Sequence, residues 1–357
     1  MILETVCAIA AAYQVFAIVA CLRFRSGAGL RPAISPPVSI LKAVRGLDPG
    51  FRAAIESHTK LRGECELLCG VRSMDDPAVA VLREFPQVRV IECRTVTPNQ
   101  KVGVLMDLAR QARYSTLIVN DADIRVEPDY LARVTGPLTD PGVGLVTCLY
   151  RPEGSTFAGR FEGLGVSTDF APSALVARLV GVEEFAMGST LAFRRADLER
   201  IGGFEAIADY LADDFQLGAK LHGLGLKCVL SDVIVATHLG GAWREVWSHQ
   251  VRWARTIRVS KFSGYLGLPA TFATVWAVAA ACRGEWSVAL AVLAARMLMA
   301  LESGWMVMRS RDVLRLWFLI PLRDLFGAAV WAAGLFGNSV VWRGQTLHLS
   351  SQGRILK

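Results

Sequence analysis

The stretch TLIVNDADIRV, residues 116–126, carries a short apolar run into two aspartates one residue apart, Asp121 and Asp123. A run of Leu, Ile and Val that stops at polar residues reads as a buried strand. Upstream, PPVSILKAV, CELLCGV and VRVIEC repeat the pattern, and helix-length stretches at residues 49–60, 77–84 and 102–112 separate them. Strand, helix, strand at this rhythm predicts an α/β fold with a mostly parallel sheet and crossover helices. Sites in such sheets form at the carboxyl ends of the strands. Asp121 falls at such an end, and Asp75 and Asp76 follow the second strand closely. No G-x-G-x-x-G or G-x-x-x-x-G-K-[ST] occurs, so neither a dinucleotide fold nor a P-loop has support.

The flanks differ in character. With 53% hydrophobic and 20% charged residues and a mean hydropathy of +0.37, the 357-residue chain is too apolar for a soluble domain of this size. Residues 2–22 suit a helical span, which needs roughly 20 apolar residues. Positive charges at Arg23, Arg25 and Arg31 follow that run instead of preceding it, which favours an uncleaved anchor with a cytoplasmic flank. Residues 266–282, 286–308 and 317–336 repeat the apolar signal. The last is interrupted by Pro321, Arg323 and Asp324, costly in lipid, so a re-entrant or interfacial segment is expected there. The expected organisation is therefore an anchor at residues 1–24, a linker SGAGLRPAISPP, a cytoplasmic domain at 36–260, membrane segments at 264–338 and a tail at 339–357.

Eight scattered cysteines lack zinc spacing and point to a reduced, cytoplasm-facing domain. The net charge of +7 lies largely in arginines beside apolar segments. Anionic headgroups account for them better than a nucleic acid does.

The pair Asp121 and Asp123 admits several readings. A turn after a strand uses aspartates to bond backbone amides. A calcium loop requires an oxygen ligand and then glycine where this chain has Arg125 and Val126, and is excluded. An aspartate phosphatase signature would make Asp121 a nucleophile, but Arg125 stands at its fifth position. In a nucleotide-sugar site one carboxylate meets the nucleotide and the other a hard cation, Mg²⁺ or Mn²⁺, with substrate phosphates completing the ligand set. Lys42 and Arg45 are expected after the first strand, where a cation can meet a nucleotide or simply face solvent. In WREVWSHQVRWARTIR, Trp243, Trp247 and Val251 share one face of an amphipathic helix suited to a membrane interface.

Four further segments, ILKAVRGLDPG, DDPAV, EEFAMGSTLAFRRADLERIGGFEAIADYLADDFQLG and WSHQVRWARTIR, together with the aspartate pair, resemble the ceramide glucosyltransferase family. The similarity runs from about residue 38 to 258 and loosely on to VVWRG. The family's enzymes are inverting glycosyltransferases of GT-A type, anchored at the N-terminus with further membrane segments at the C-terminus. Related bacterial enzymes that glycosylate hopanoids are also similar. The resemblance implies a multi-pass protein, here of a bacterial inner membrane, that moves a hexose from a UDP-sugar to a lipid hydroxyl on the cytoplasmic side. It assigns Asp76, Asp121 and Lys101 to the nucleotide sugar, Asp123 to Mg²⁺ or Mn²⁺ and Asp214 to the general base. Arg252 and Trp253 fall at the acceptor and diphosphate, with His249 where the family usually has Gln or Arg.

Two other departures are Ser73, where relatives often have an acid, and Gly103–Val104, where the family pattern K-x-N-N has paired amides. These changes also admit a membrane scaffold that kept the fold and lost turnover. An acidic pair such as Asp213–Asp214 suits a helix start in any protein, and its mutual repulsion raises one of the two pKa values.

Overall fold

The computed structural model describes residues 1–27, 35–342 and 344–356. Arg31, most of the linker and Arg343 of VVWRG lie outside the described residues. The chain opens on α1 (Ile2–Ser26), then alternates β1 (Val38–Ala43), α2 (Phe51–Thr59), β2 (Cys65–Val71), α3 (Pro77–Leu82), β3 (Val88–Glu92), α4 (Gln100–Gln111) and β4 (Thr116–Val119). After α5 (Tyr130–Thr135) and β5 (Val143–Gly154) come α6 (Phe157–Gly165) and α7 (Ala171–Leu179). Next are β6 (Leu191–Arg194), α8 (Arg195–Arg200), α9 (Asp213–Gly223) and β7 (Lys227–Leu239). The remainder is helical through α10 (Trp243–Ser260), α11 (Phe262–Gly267), α12 (Ala273–Cys282), α13 (Trp286–Leu301), α14 (Arg311–Arg315) and α15 (Ile320–Gly334), before a hairpin of β8 (Ser339–Trp342) and β9 (Gln345–Leu349). Contacts divide the chain into two compact units. One, helical, comprises Met1–Ala28, Arg151–Gly181 and Leu239–Gly353; the other, built on the sheet, comprises Gly29–Tyr150, Val182–His238 and Arg354–Lys357.

The sheet unit has seven strands in the order β3-β2-β1-β4-β6-β5-β7. β1 to β4 run parallel, as the alternation predicts, and the direction reverses at β6, which is antiparallel to both β4 and β5. All of β4 is buried, which fits a central strand covered on both faces. Its side chains alternate: Ile118 joins Val38 and Ile40 in one core, while Leu117 and Val119 join Leu41 in the other. Crossover α2 buries Phe51, Ala54, Ile55 and His58, a helical stripe. α4 starts at Gln100, ahead of its apolar stripe, because the Asn99 side chain caps it by accepting from the Lys101 and Val102 amides.

Lys42 does not lie beyond the first strand. It sits inside β1 opposite Cys69 of β2 and is wholly buried. Its ammonium reaches under the turn that follows β4 and donates to the carbonyls of Asp121 (2.9 Å) and Ile124 (3.4 Å). Burial lowers its pKa to about 8, against the opposing pull of Cys69, Asp123 and Asp121. Asn120 anchors the same turn, donating to the Ser189 carbonyl at 2.7 Å and the Tyr130 hydroxyl at 2.9 Å.

In the helical unit, Ile2–Ser26 (25 residues) and Trp286–Val307 (22 residues) are long and apolar enough to cross a membrane. The expected span at 266–282 is a bent pair, Phe262–Thr271 and Ala273–Cys282, that turns by 46° at the break. The last apolar segment opens with a 3₁₀ turn at Trp317–Leu319 and continues as the 15-residue α15, short of a span. Cys7 and Ala10 of α1 pack on Ala273, Ala277 and Ala280 of α12 and on Ala289 and Val292 of α13. Small residues let such helices approach closely where lipid provides no hydrophobic drive.

Lys42→Met keeps the volume but strands two carbonyls and removes the cation beneath Asp123. A loss of about 2 kcal/mol is expected, seen as a fall of about 4–8 °C in melting temperature. An unchanged melting temperature would show that the turn holds without it.

Candidate active site

Two carboxylates of the sheet unit, those of Asp121 and Asp214, meet at one glycine. Asp121 leaves the carboxyl end of β4, and its amide donates to the Gly188 carbonyl at 3.2 Å. Gly188 returns its own amide to Asp214 Oδ2 at 2.8 Å. A Cβ at position 188 would stand 3.0 Å from Asp121 Oδ2 and 3.5 Å from Asp214 Oδ2. A side chain there would crowd the Asp121 carboxylate by a few tenths of an ångström and touch that of Asp214.

Lys101, in the first turn of α4, ties this arrangement together. Its Nζ lies 2.8 Å from Asp121 Oδ1 and 3.1 Å from Asp213 Oδ2. Burial opposes its charge, yet Asp121, Asp213 and Asp214 outweigh burial and push its pKa up. Asp214 responds in the other sense. Burial first, and then Asp213, raise its pKa to about 6, with Lys101 and the Phe215 amide working against them. An acid at this value is mostly ionised at neutral pH and still able to take a proton.

Asp76 is the N-cap of α3. Its carboxylate accepts from the Ala78 amide at 2.9 Å and from the Gly46 amide at 2.9 and 3.1 Å. It thereby fixes the loop after β1 at the edge where Arg45 hydrogen-bonds Gln100. Asp123 is bonded by the Thr237 hydroxyl and, at 3.4 Å, by the His238 amide. Burial raises its pKa, the Thr237 bond opposes the shift, and Asp121 adds to it.

The departure at positions 103 and 104 has a packing cause. A Cβ at Gly103 would lie 2.4 Å from the Thr95 carbonyl oxygen, and Val104 is 3% exposed. No amide side chain fits at 103, and 104 belongs to the core.

His249, Arg252 and Trp253 lie on α10, in the helical unit. His249 Nδ1 is 2.7 Å from Oε1 of the buried Glu162 in α6, and its ring meets Trp253 edge-on at 4.5 Å. Gln250 donates to the same Glu162 oxygen at 2.8 Å and accepts from Arg323 Nη2 at 2.8 Å. Trp247 packs on Phe326 of α15, and Trp243 on Phe161 of α6, while both tryptophans stay partly exposed. Sequence reasoning missed Glu162, which lies 87 positions from His249. It also missed the steric role of Gly188, although the AMGST segment belongs to the resemblance.

The sheet with its carboxyl-edge acids is the GT-A glycosyltransferase fold. A mannosyltransferase from Pyrobaculum calidifontis, solved in complex with GDP-Man and Mn²⁺, superposes with a TM-score of 0.52 at 18% identity, covering 92% of this chain and 98% of that one. The description of glycosyl transferase family 21 matches residues 2–355, and the chain belongs to that family. Ceramide glucosyltransferase 1 of Caenorhabditis elegans is 29% identical over 206 residues, 55% of this chain and 44% of that protein. Ceramide glucosyltransferase 3 of the same organism is 28% identical over 206 residues, 55% of this chain and 45% of that protein. The match thus spans less than half the length of these relatives.

Gly188→Ala is expected to displace the Asp121 carboxylate by a few tenths of an ångström and lower glycosyltransferase turnover by about 10-fold with the fold intact by circular dichroism. Wild-type turnover would show that this close approach is dispensable.

Proposed function

We propose that the chain is a membrane-bound inverting glycosyltransferase that moves a hexose from a UDP-sugar to a lipid hydroxyl. The observation that carries the reading is Asp214: a partly buried acid with its pKa raised to about 6, held by Gly188 beside Asp121. In this reading the ionised Asp214 takes the proton of the lipid hydroxyl as its oxygen bonds to the anomeric carbon. The bond from that carbon to the diphosphate oxygen breaks, UDP leaves, and the configuration inverts. Asp76 shapes the nucleotide loop, and Asp121, fixed by Lys101, faces the nucleotide sugar. His249, Arg252 and Trp253 serve the acceptor and diphosphate.

Asp123 offers the carboxylate oxygens that a hard divalent cation takes, and Asp121 is near enough to raise its pKa. Among the described residues no three His, Cys, Asp or Glu side chains are placed to hold an ion, so the protein alone does not complete such a site. Mg²⁺ and Mn²⁺ bind in this manner when substrate phosphates supply the remaining ligands. Asp123 would hold the ion, which would neutralise charge on the departing diphosphate.

The curated relatives favour ceramide as acceptor and glucose as sugar. A hopanoid polyol with N-acetylglucosamine is the second pair to test. The two span-length helices support a membrane location, with the catalytic unit on the cytoplasmic side as the arginines after α1 suggest. A scaffold without turnover is the competing reading of another class.

The test is UDP release by the full chain in membranes supplied with UDP-glucose or UDP-N-acetylglucosamine, each lipid, and Mg²⁺ or Mn²⁺. Turnover is expected for one donor–acceptor pair, and none for any pair favours the scaffold. Asp214→Asn should bind UDP-sugar normally and lose about 10²- to 10⁴-fold in turnover. Unchanged turnover removes Asp214 as the base.

A further inference from the structure

The helical unit buries a second polar cluster that the transfer chemistry does not use. Gln14 stands halfway along α1, where its amide nitrogen donates to the Thr271 carbonyl at 3.2 Å. Arg296 stands halfway along Trp286–Val307. A guanidinium at such depth demands full pairing. Asp324 of α15 supplies two bonds, at 2.6 Å to Nη2 and 2.9 Å to Nε, and the Thr168 hydroxyl accepts a third from Nη2 at 3.3 Å. Thr274 donates its hydroxyl to Asp324 as well.

The pairing is nevertheless incomplete. Arg296 is 4% exposed, and its Nη1 has no hydrogen-bond partner; the Nε of Arg323, 5% exposed, has none either. Arg296 and Asp324 line a cleft of about 20 Å³ with Asp169, Thr271, Phe272 and Ala273. The carboxylate of Asp169 is exposed and makes no hydrogen bond or salt bridge among the described residues. Arg296, with one unpartnered buried N–H, and Asp169, whose carboxylate has no protein partner among the described residues, therefore border one space that admits a single water-sized group.

That combination selects by chemistry. An anion would meet Asp169 and Asp324, and a cation would meet Arg296. A group that accepts from Arg296 and donates to Asp169 satisfies both, and hydroxyls and secondary amides are such groups. Phe272 and Ala273 offer apolar walls to the hydrocarbon beside it.

We propose that this cleft seats a hydroxyl or secondary amide of the acceptor lipid, so that the helical unit recognises the polar part of the acceptor as well as its chains. The proposal rests on the reading of the acceptor as a membrane lipid. An N-acylated sphingoid base and a polyol lipid both carry the required group. The experiment separates them.

Full-length protein in lipid nanodiscs is titrated with ceramide, with bacteriohopane polyol and with squalene, which has neither group. Lipid binding is read by thermal stabilisation and UDP binding by calorimetry. Wild type should bind ceramide or the polyol and not squalene. Asp169→Leu should weaken that binding at least 10-fold with UDP affinity and the lipid-free melting temperature unchanged. Asp169→Asn, which keeps a carbonyl acceptor, should stay within 3-fold of wild type. Equal binding by wild type and Asp169→Leu overturns the proposal and leaves a trapped water as the occupant. Parallel loss of UDP affinity, or no binding of either polar lipid by wild type, overturns it too. Lipid binding without UDP release would instead count against the proposed transferase activity and leave the cleft's assignment standing.

Discussion

The sheet unit depends on one ammonium group among three carboxylates. Asp121, Asp213 and Asp214 are brought together by β4, the Gly188 turn and the start of α9, and like charges a few ångströms apart repel by about 4 kcal/mol at an effective dielectric near 20. Lys101 offsets that repulsion, with Nζ within 3.1 Å of two of the acids. It leaves Asp214 without a direct ion pair among the described residues, and burial then sets that group's proton affinity. In the proposed mechanism, the same cation that permits the cluster leaves Asp214 as the member able to take a proton. Below the turn, Lys42 performs the structural counterpart, bonding backbone carbonyls from inside the strand.

In the helical unit most of the buried charge is held by side-chain partners. Arg296 and Asp324 form a two-point ion pair, Arg323 reaches Gln250, and Glu162 serves both Gln250 and His249. Removing one partner from such a pair leaves an uncompensated buried charge, a larger loss than the pair's net contribution. Pro321, Arg323 and Asp324 look like interruptions of an apolar segment. In the fold, Pro321 stands in the first turn of α15, where a proline is tolerated, and the two charges turn into the unit.

The strands and crossover helices of the sheet were legible because periodicity is a local property. The four parallel strands fall inside the apolar runs, and Asp121 falls at a strand end as expected. Features that depend on distant contacts were not legible. Lys42 reads as a solvent-side cation until the neighbouring strand and the Asp121 turn enclose it. The missing amides at 103 and 104 read as a possible loss of function, whereas the loop at Thr95 leaves position 103 no room for a side chain. Nothing near RFEGLG marks Glu162 as the partner of a histidine on another helix. The grouping of Arg151–Gly181 with the apolar helices likewise arises from packing that the linear order conceals.

The most direct test of this account is the pH dependence of kcat/KM for glycosyl transfer. Asp214 must be ionised to accept a proton, so the rate should fall tenfold per pH unit below about pH 6, the value burial and Asp213 impose. Lys101→Met removes the cation that lowers this pKa and should carry the limb to higher pH. A limb near pH 4, where an ordinary exposed carboxylate titrates, or one that Lys101→Met leaves in place, would contradict the assignment of Asp214 as the group that takes the proton.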